Sequence, residues 1–154
     1  MTKTTLYRLF GAGSIPSDLR PALESEGVIV LDEGIGGRLI TKHVDGPGVH
    51  YRHRREGFSG SLAITRKRLV CHTYGKRQIN ISLHDPKIAS LYIDAPTDQS
   101  LELSFESSDF RQGWQGVMEF HFRTDKAHAF LEALTAVGVR RGSATERQPA
   151  GPEA

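Results

Sequence analysis

Apolar and polar residues alternate along most of the chain between residues 28 and 122, with the period of two that half-buried β-strands require. The alternation is clearest at 78–83, and turns rich in glycine separate the apolar runs. The strongest turn is the Asp-Gly-Pro-Gly sequence at 45–48, and a second turn is predicted at the glycines of 34–37. The pattern predicts strands over 28–31, 38–41, 58–65, 68–74, 78–83, 88–93, 101–105 and 117–122, and an edge strand or extended loop over 49–55.

The spacing of apolar residues changes after Thr124, from two to intervals of three and four. These intervals place the apolar side chains on one face of a helix. Thr124 or Asp125 can cap this helix and Gly138 ends it, so we expect a helix over 125–137 packed on the sheet. The apolar positions are Ala127, Phe130, Leu131, Leu134 and Val137.

The two ends of the chain differ from its centre. Near the N-terminus, Ser14 can cap a short helix that Gly27 ends and that Pro21 kinks or splits. From Arg140 onward the chain has few residues to bury. We therefore expect three parts, namely an N-terminal extension over 1–26, a β domain over 27–138 and a disordered tail over 139–154.

A chain of 154 residues, 38% hydrophobic and 25% charged, is typical of one water-soluble domain with a substantial core. Cys71 is the single cysteine, so an intramolecular disulfide is excluded and a reducing compartment is favoured. No apolar run approaches the length of a membrane-spanning helix, and the first ten residues lack the apolar segment of a signal peptide. We therefore expect a cytoplasmic protein without a transmembrane segment.

Positive charge is concentrated in one block of the sequence. Residues 38–77 contain ten basic and two acidic residues, a net charge of +8, whereas 1–37 carry −2 and 78–154 carry −4. Such a block can attract phosphates, anionic lipid or an acidic partner, or it can be the solvated face of strands. We expect the turn at 66–68 to lie on one contiguous positive surface. The candidate ligand-binding residues are Lys42, Arg52, Arg54, Arg55, Arg66, Lys67, Lys76 and Arg77.

Residues 60–69 read Gly-Ser-Leu-Ala-Ile-Thr-Arg-Lys-Arg-Leu. They resemble the Gly-x-Leu-x-(Leu/Ile)-Thr-x-x-Arg-Leu signature on the central hairpin of pleckstrin-homology-like domains in their bacterial and GRAM-like forms. Ile81-Ser82-Leu83 and Phe120-x-Phe122 are also similar to that family, so the resemblance covers about 27–137. It implies a mainly β (α+β) fold, a bent antiparallel barrel of about seven strands capped by a C-terminal helix, with a short N-terminal helix.

The signature has a physical explanation but names no ligand. Gly60 permits a close backbone approach or a bulge. Thr65 can bond across the turn, and Arg68 can pair with a carboxylate or carbonyl. The segment over 45–56 departs from the family, and the Lys-x-n-Arg pattern of eukaryotic lipid-binding members is matched only loosely here. The apolar signature residues that fill the barrel are Leu62, Ile64 and Leu69.

The sequence does not favour catalytic or metal chemistry. His50 and His53 are three apart, so on a strand they face opposite sides and cannot share one ion without a bend. Cys71 and His72 are adjacent and point apart, which favours a buried core cysteine over a nucleophile. No pair of carboxylates has a spacing that indicates acid–base work. We therefore expect no enzyme activity, no cofactor and no metal.

Two functions remain open. In the first, the chain is a non-catalytic module whose basic face binds an anionic lipid head group or a phosphate-bearing ligand, peripherally at a membrane when the ligand is a lipid. In the alternative, it is a protein–protein interaction or self-assembly module that uses an exposed strand edge or groove. Tyr51 and Tyr74 lie within the basic block and could stack on bases, but 8% aromatic content and a pI of about 8.8 do not favour nucleic acid. The oligomeric state is not indicated.

Overall fold

The structure, a computed structural model, describes residues 3–74 and 76–147. In this part of the chain, eight strands form one curled sheet with the shape of a half-barrel, flanked by helices. The predicted mainly β fold class is confirmed. The strands are β1 (Val28–Gly46), β2 (Val49–Thr65), β3 (Arg68–Thr73), β4 (Lys76–Ser82), β5 (Tyr92–Thr97), β6 (Ser100–Glu106), β7 (Gln115–Arg123) and β8 (Arg140–Arg141). The helices are α1 (Thr5–Phe10), α2 (Arg20–Glu26), α3 (Ala127–Ala136) and α4 (Ala144–Arg147), and 3₁₀ turns lie at Pro86–Ser90 and Ser107–Asp109.

The sheet has the order β4-β3-β2-β1-β7-β6-β5-β8 and is antiparallel except where β8 runs parallel to β5. β1 joins its two halves, because it pairs with β2 along its whole length and with β7 from Gly37 to Asp45. Register shifts mark bulges in β1, one of them around His43, whose φ is 51°. Bulges bend a strand and increase its twist, so the sheet curls. We call the end of the sheet where β1 ends and β4 begins the mouth.

The turn predicted at 34–37 is wrong, because β1 runs through these glycines. They permit close packing instead. A Cβ atom at Gly37 would lie 2.2 Å from the carbonyl oxygen of His121 and 2.6 Å from the Phe58 ring. The absent side chain lets β7 and a buried aromatic ring lie against β1.

The structure also settles the nature of segment 49–55 and moves the start of the strand predicted over 88–93. The polar segment 49–55 is the first part of β2, so it is a strand and not a loop. The strand predicted over 88–93 begins only at Tyr92, because Pro86–Ser90 forms a 3₁₀ turn. The Asp85 carboxylate caps that turn by accepting a hydrogen bond from the Lys87 backbone N–H, at 2.9 Å.

The main core lies between the concave face of the sheet and α3. Phe130, Leu131 and Leu134 of α3 are buried in the same cluster as the strand residues Leu62 and Ile64, as predicted. Phenylalanine rings also fill the space between the two halves of the sheet. Those that contact one another edge-on, tilted or stacked are Phe58, Phe105, Phe110, Phe120 and Phe122.

The N-terminal extension packs on the opposite, outer face of β1, β2 and β3. Ile15 and Leu23 bury themselves there against Ala63 and Val70, in a second, smaller core. A short helix ended by Gly27 is present as predicted, but α2 begins only at Arg20, after Leu19, so Ser14 does not cap it and donates to the Gly11 carbonyl instead. The predicted kink at Pro21 is also wrong, because this proline lies in the first turn, where no backbone donor is needed. α1 was not predicted, since residues 5–10 show no clear helical pattern.

The prediction of a disordered tail from residue 139 is wrong for residues 139–147. Val139 and Ala144 are buried, and β8 lies beside β5. Backbone groups explain this order better than apolar burial does, because Gly142 N–H donates to the Ile93 carbonyl at 2.9 Å and Ala144 N–H donates to Ser104 Oγ at 2.9 Å. The rest of the predicted tail, 148–154, lies outside the described residues. Within those residues, no helix is both long and apolar enough to cross a bilayer.

Candidate binding site

In the signature segment, the β2–β3 turn is fixed by contacts between its side chains and a partly buried carboxylate. Arg68 contacts the Glu26 carboxylate twice, with Nη2–Oε2 at 2.6 Å and Nε–Oε1 at 2.9 Å. Thr65 Oγ1 donates to the same carboxylate at 2.9 Å and accepts hydrogen bonds from the backbone N–H groups of Lys67 and Arg68, each at 3.0 Å. The Arg68 guanidinium, with help from the Thr65 hydroxyl, holds the pKa of Glu26 below its ordinary value. Both expected roles, for Thr65 and for Arg68, are confirmed, and Arg68 is structural.

The expected single positive surface is not present. Arg66 and Lys67 are exposed where β1 begins, next to Val28. Lys76 and Arg77 start β4 at the mouth, beyond the other end of β3. The length of β3 therefore separates the two groups, by about 17 Å. The reason is geometric, because the turns of successive antiparallel hairpins lie at alternate ends of a sheet.

The arginines of β2 also divide between two faces. Arg54 lies opposite Thr41 on the concave face, whereas Arg55 lies opposite Ile40 on the outer face. Residues that are adjacent on a strand point to opposite sides, so these two guanidinium groups cannot converge on one small ligand. Arg52 is exposed beside the bulge of β1.

Lys42, predicted to bind a ligand, forms an ion pair within the protein instead. Its Nζ lies 2.9 Å from Glu119 Oε2 on the outer face, and Ser143 and Thr145 donate hydrogen bonds of 3.2 Å to Oε1 of the same carboxylate. The His121 imidazole, with Nε2 at 3.9 Å, and the Lys42 ammonium lower the pKa of Glu119 to about 2, although burial opposes them. These contacts fasten the C-terminal segment to β7, so Lys42 does not join a ligand site.

A cavity of about 380 Å³ opens at the mouth, and we call it the mouth cavity. β1 and β2 form one wall, the β3–β4 turn forms another, and the loop before β7 closes the third side. Its floor is apolar, with Leu39, Val44 and Met118. Aromatic and cationic side chains surround the opening. They are Tyr51, Tyr74 and Trp114, and Arg54, Lys76 and Arg111.

The cations are partly held in place by their neighbours. Arg111 Nη2 donates to Gln78 Oε1 at 3.1 Å, and its guanidinium carbon lies 5.3 Å from the centre of the Trp114 ring. The Arg54 guanidinium lies 4.5 Å from the centre of the Tyr51 ring. Its Nε is 3.1 Å from an oxygen of Glu56, which is the one carboxylate among the described residues of the lining. With three cations and that carboxylate, the lining carries a net charge of +2.

The Thr41 side chain lines the cavity, but its hydroxyl oxygen is buried behind the cavity wall. Thr41 is only 5% exposed. Its Oγ1 has no hydrogen-bond partner among residues 3–74 and 76–147. A buried hydroxyl without a partner costs about 1–3 kcal/mol, so this wall of the cavity carries a small local cost in stability.

Other reactive side chains lie away from this cavity. Cys71 is fully buried in the core, and burial raises the pKa of its thiol, so the thiolate that nucleophilic chemistry requires is disfavoured. His50 pairs with the Asp45 carboxylate at the hairpin tip, and His53 Nε2 is 3.4 Å from Arg55 Nε. In the described ranges, no three His, Cys, Asp or Glu side chains lie close enough to hold a metal ion.

Sequence reasoning found two of the three cations at the mouth, Arg54 and Lys76. It missed Arg111, Trp114 and Thr41, because they lie outside the basic block or carry no charge. The only local signal was a tryptophan three residues from an arginine, which has many structural explanations. No model of a known protein family matches the chain, and no curated protein matches its sequence.

Proposed function

We propose that the protein is a non-catalytic module that binds a phosphate-bearing anionic ligand in the mouth cavity. The observation that carries this proposal is the convergence of Arg54, Lys76 and Arg111 on an aromatic-walled cavity with a single described carboxylate. Lipid head groups and soluble organic phosphates share the chemistry that such a site recognises. The proposal includes a cytoplasmic location, at a membrane surface when the phosphate belongs to a lipid.

The shape and composition of the cavity support a ligand with a charged end and an apolar end. Its volume falls in the range of small-molecule sites, which is about 300–1,000 Å³. The planar guanidinium groups of Arg54 and Arg111 match the oxygens of a phosphate, and Gln78 already orients the second of them. Leu39 and Met118 on the floor offer contact to an apolar or ring portion.

The side chains around the cavity support binding and not chemistry. Among the described residues of its lining there is no serine, cysteine or histidine, which are the side chains of the common nucleophile–base pairs. Glu56, the acidic residue of the lining, is paired with Arg54. The lining therefore favours the binding of an anion over the activation of a nucleophile.

Binding of two probes tests this proposal. One is phenyl phosphate, measured by calorimetry, and the other is vesicles of phosphatidic acid diluted in phosphatidylcholine, measured by co-sedimentation. Arg111→Ala removes a charge-assisted contact worth about 1.5–3 kcal/mol, so binding should weaken between about tenfold and a hundredfold. The matched control is the double variant Arg66→Ala with Lys67→Ala, which removes more charge at the other end of the sheet and should bind almost as wild type does.

The two probes also separate the two sources of the phosphate. Binding of both indicates that a phosphomonoester suffices, whereas binding of vesicles alone indicates that the lipid surface is needed. The proposal is wrong if neither probe binds, or if the control variant loses as much affinity as Arg111→Ala. In the latter case, charge at any site on the protein would be sufficient.

A further inference from the structure

The first half of β2 leaves one of its edges uncovered. β2 pairs with β1 from Val49 to Thr65, but it pairs with β3 only from Gly60 to Ile64. The hydrogen bond from Tyr74 N–H to the Ser59 carbonyl, at 2.9 Å, extends this pairing by one residue. No other described strand lies against residues 49–57 of this edge. We call it the β2 edge.

The backbone geometry shows which groups the β2 edge presents. On an antiparallel strand, alternate residues direct both N–H and C=O to the same side. The Ser59 carbonyl faces β3, and the register with β1 is unbroken from Phe58 to His53. Gly57, Arg55 and His53 therefore direct their N–H and C=O groups to the open side, which is a template for one more strand.

We propose that the β2 edge binds an acidic peptide segment of another protein, which adds to the sheet as an extended strand. Side chains of an added strand would alternate between the face of Arg54 and the face of Arg55. Together with the exposed Arg52, these residues give the edge positive charge on both faces. The Glu56 carboxylate on the same strand already pairs with Arg54, and the Asp45 carboxylate on β1 pairs with His50. Acidic side chains on both faces of the incoming strand therefore fit best.

The same charges disfavour a second copy of this chain as the occupant. Two copies that paired antiparallel through Gly57, Arg55 and His53 would place Arg55 directly opposite Arg55. Like charges directly opposite each other destabilise a strand pair, and basic residues on an edge are a common means of preventing self-association. The charges of the β2 edge therefore disfavour pairing between two copies of the chain and favour a partner of opposite charge.

Fluorescence polarisation with a labelled peptide that repeats Glu-Glu-Thr-Thr, which places glutamates on both faces of a strand, tests the proposal. Two further peptides have the same sequence, one with N-methyl groups on alternate residues and the other with an N-methyl group on every residue. One edge of an added strand faces β2 and the other faces water, so the first methylated peptide should bind as the parent does and the second about tenfold more weakly or worse. A peptide held by charge alone would not show this difference, and equal binding of the two methylated peptides would overturn the proposal.

Protein variants separate the β2 edge from the mouth cavity. Arg55→Thr removes the charge and keeps the edge N–H, whereas Arg55→Pro also removes the N–H, which does not face β1. Peptide affinity should fall several-fold with the first and further with the second, and Arg111→Ala should leave it unchanged. Loss of peptide binding in Arg111→Ala alone would place the peptide in the cavity and refute the edge. If circular dichroism shows that Arg55→Pro is unfolded, the methylated peptides still decide.

Discussion

Two neighbouring arginines in one turn have different roles, and the difference lies in what each side chain contacts. Arg68 holds the partly buried Glu26 carboxylate with two contacts, while Arg66 is exposed and packs its methylenes over Gly27. Removing Arg68 leaves a carboxylate without its main partner. Removing the Arg66 side chain does not open the turn, because the backbone N–H of residue 66 still donates to the Gly27 carbonyl.

We predict that Arg68→Ala lowers the free energy of unfolding by about 1.5–3 kcal/mol, the cost of losing a hydrogen-bonded charge pair. Arg66→Ala should cost less than about 0.5 kcal/mol, as is usual for an exposed position. Urea unfolding at neutral pH measures both. Equal losses in the two variants would mean that the Glu26 contacts contribute nothing beyond ordinary surface charge.

The turn role of Thr65 could be predicted from sequence because its backbone partners, Lys67 and Arg68, lie in the same turn. A carboxylate partner for Arg68 could be expected as well, but not that it would be Glu26 on α2. The mouth cavity could not be predicted. Thr41 is distant in sequence from Arg111 and Trp114, and they meet because β1 bends and the loop before β7 returns to the same end of the sheet. A pattern of period two predicts which residues share a face, but it does not predict how strongly the sheet curls.

At the scale of elements, a charged anchor holds the C-terminal segment in addition to its backbone hydrogen bonds and the apolar packing of Val139 and Ala144. Glu119 is buried on β7 and accepts hydrogen bonds from Ser143 and Thr145, on either side of the first residue of α4. The folded-state pKa of Glu119 is about 2, below the ordinary value of 4.5. Its contribution to stability is therefore fully present above about pH 4.5 and is lost as the pH falls toward 2.

We predict that Glu119→Gln removes this part of the pH dependence. At neutral pH the variant should be less stable than wild type by about 1–3 kcal/mol, and the difference should shrink as the pH falls through about 4 to 3. Hydrogen exchange at the Ala144 N–H, which bonds to Ser104, should be faster in the variant at neutral pH. The matched control is Glu132→Gln on the exposed face of α3. A stability difference that is constant with pH would show that the Glu119 carboxylate does not act through its charge.

At the scale of the whole molecule, β1 is the strand that couples the two halves of the sheet. The sequence pattern divided it into two short strands separated by a glycine turn, because glycines in a row more often end a strand than pack inside one. The pattern was nevertheless right about β3, β4, β6, β7 and α3, where the apolar period is regular across the predicted range. Whether β1 is one strand or two matters for the mouth cavity, because β1 forms part of its wall.

Gly37 lies where β1 begins to pair with β7, and it provides the sharpest test of this coupling. A Cβ atom there would meet a backbone oxygen of β7 at 2.2 Å, which neither strand can relieve without moving apart. We predict that Gly37→Ala lowers the free energy of unfolding by about 3 kcal/mol, at the upper end of the usual cost of overpacking. It should also weaken phenyl phosphate binding if that ligand occupies the mouth cavity.

Gly57→Ala is the control, because the nearest atom to its added Cβ is 4.0 Å away and its φ is not left-handed. Urea unfolding of the two alanine variants side by side gives the answer. If they are equally stable, the halves of the sheet are not held together through close contact at Gly37, and the curl of the sheet has another cause.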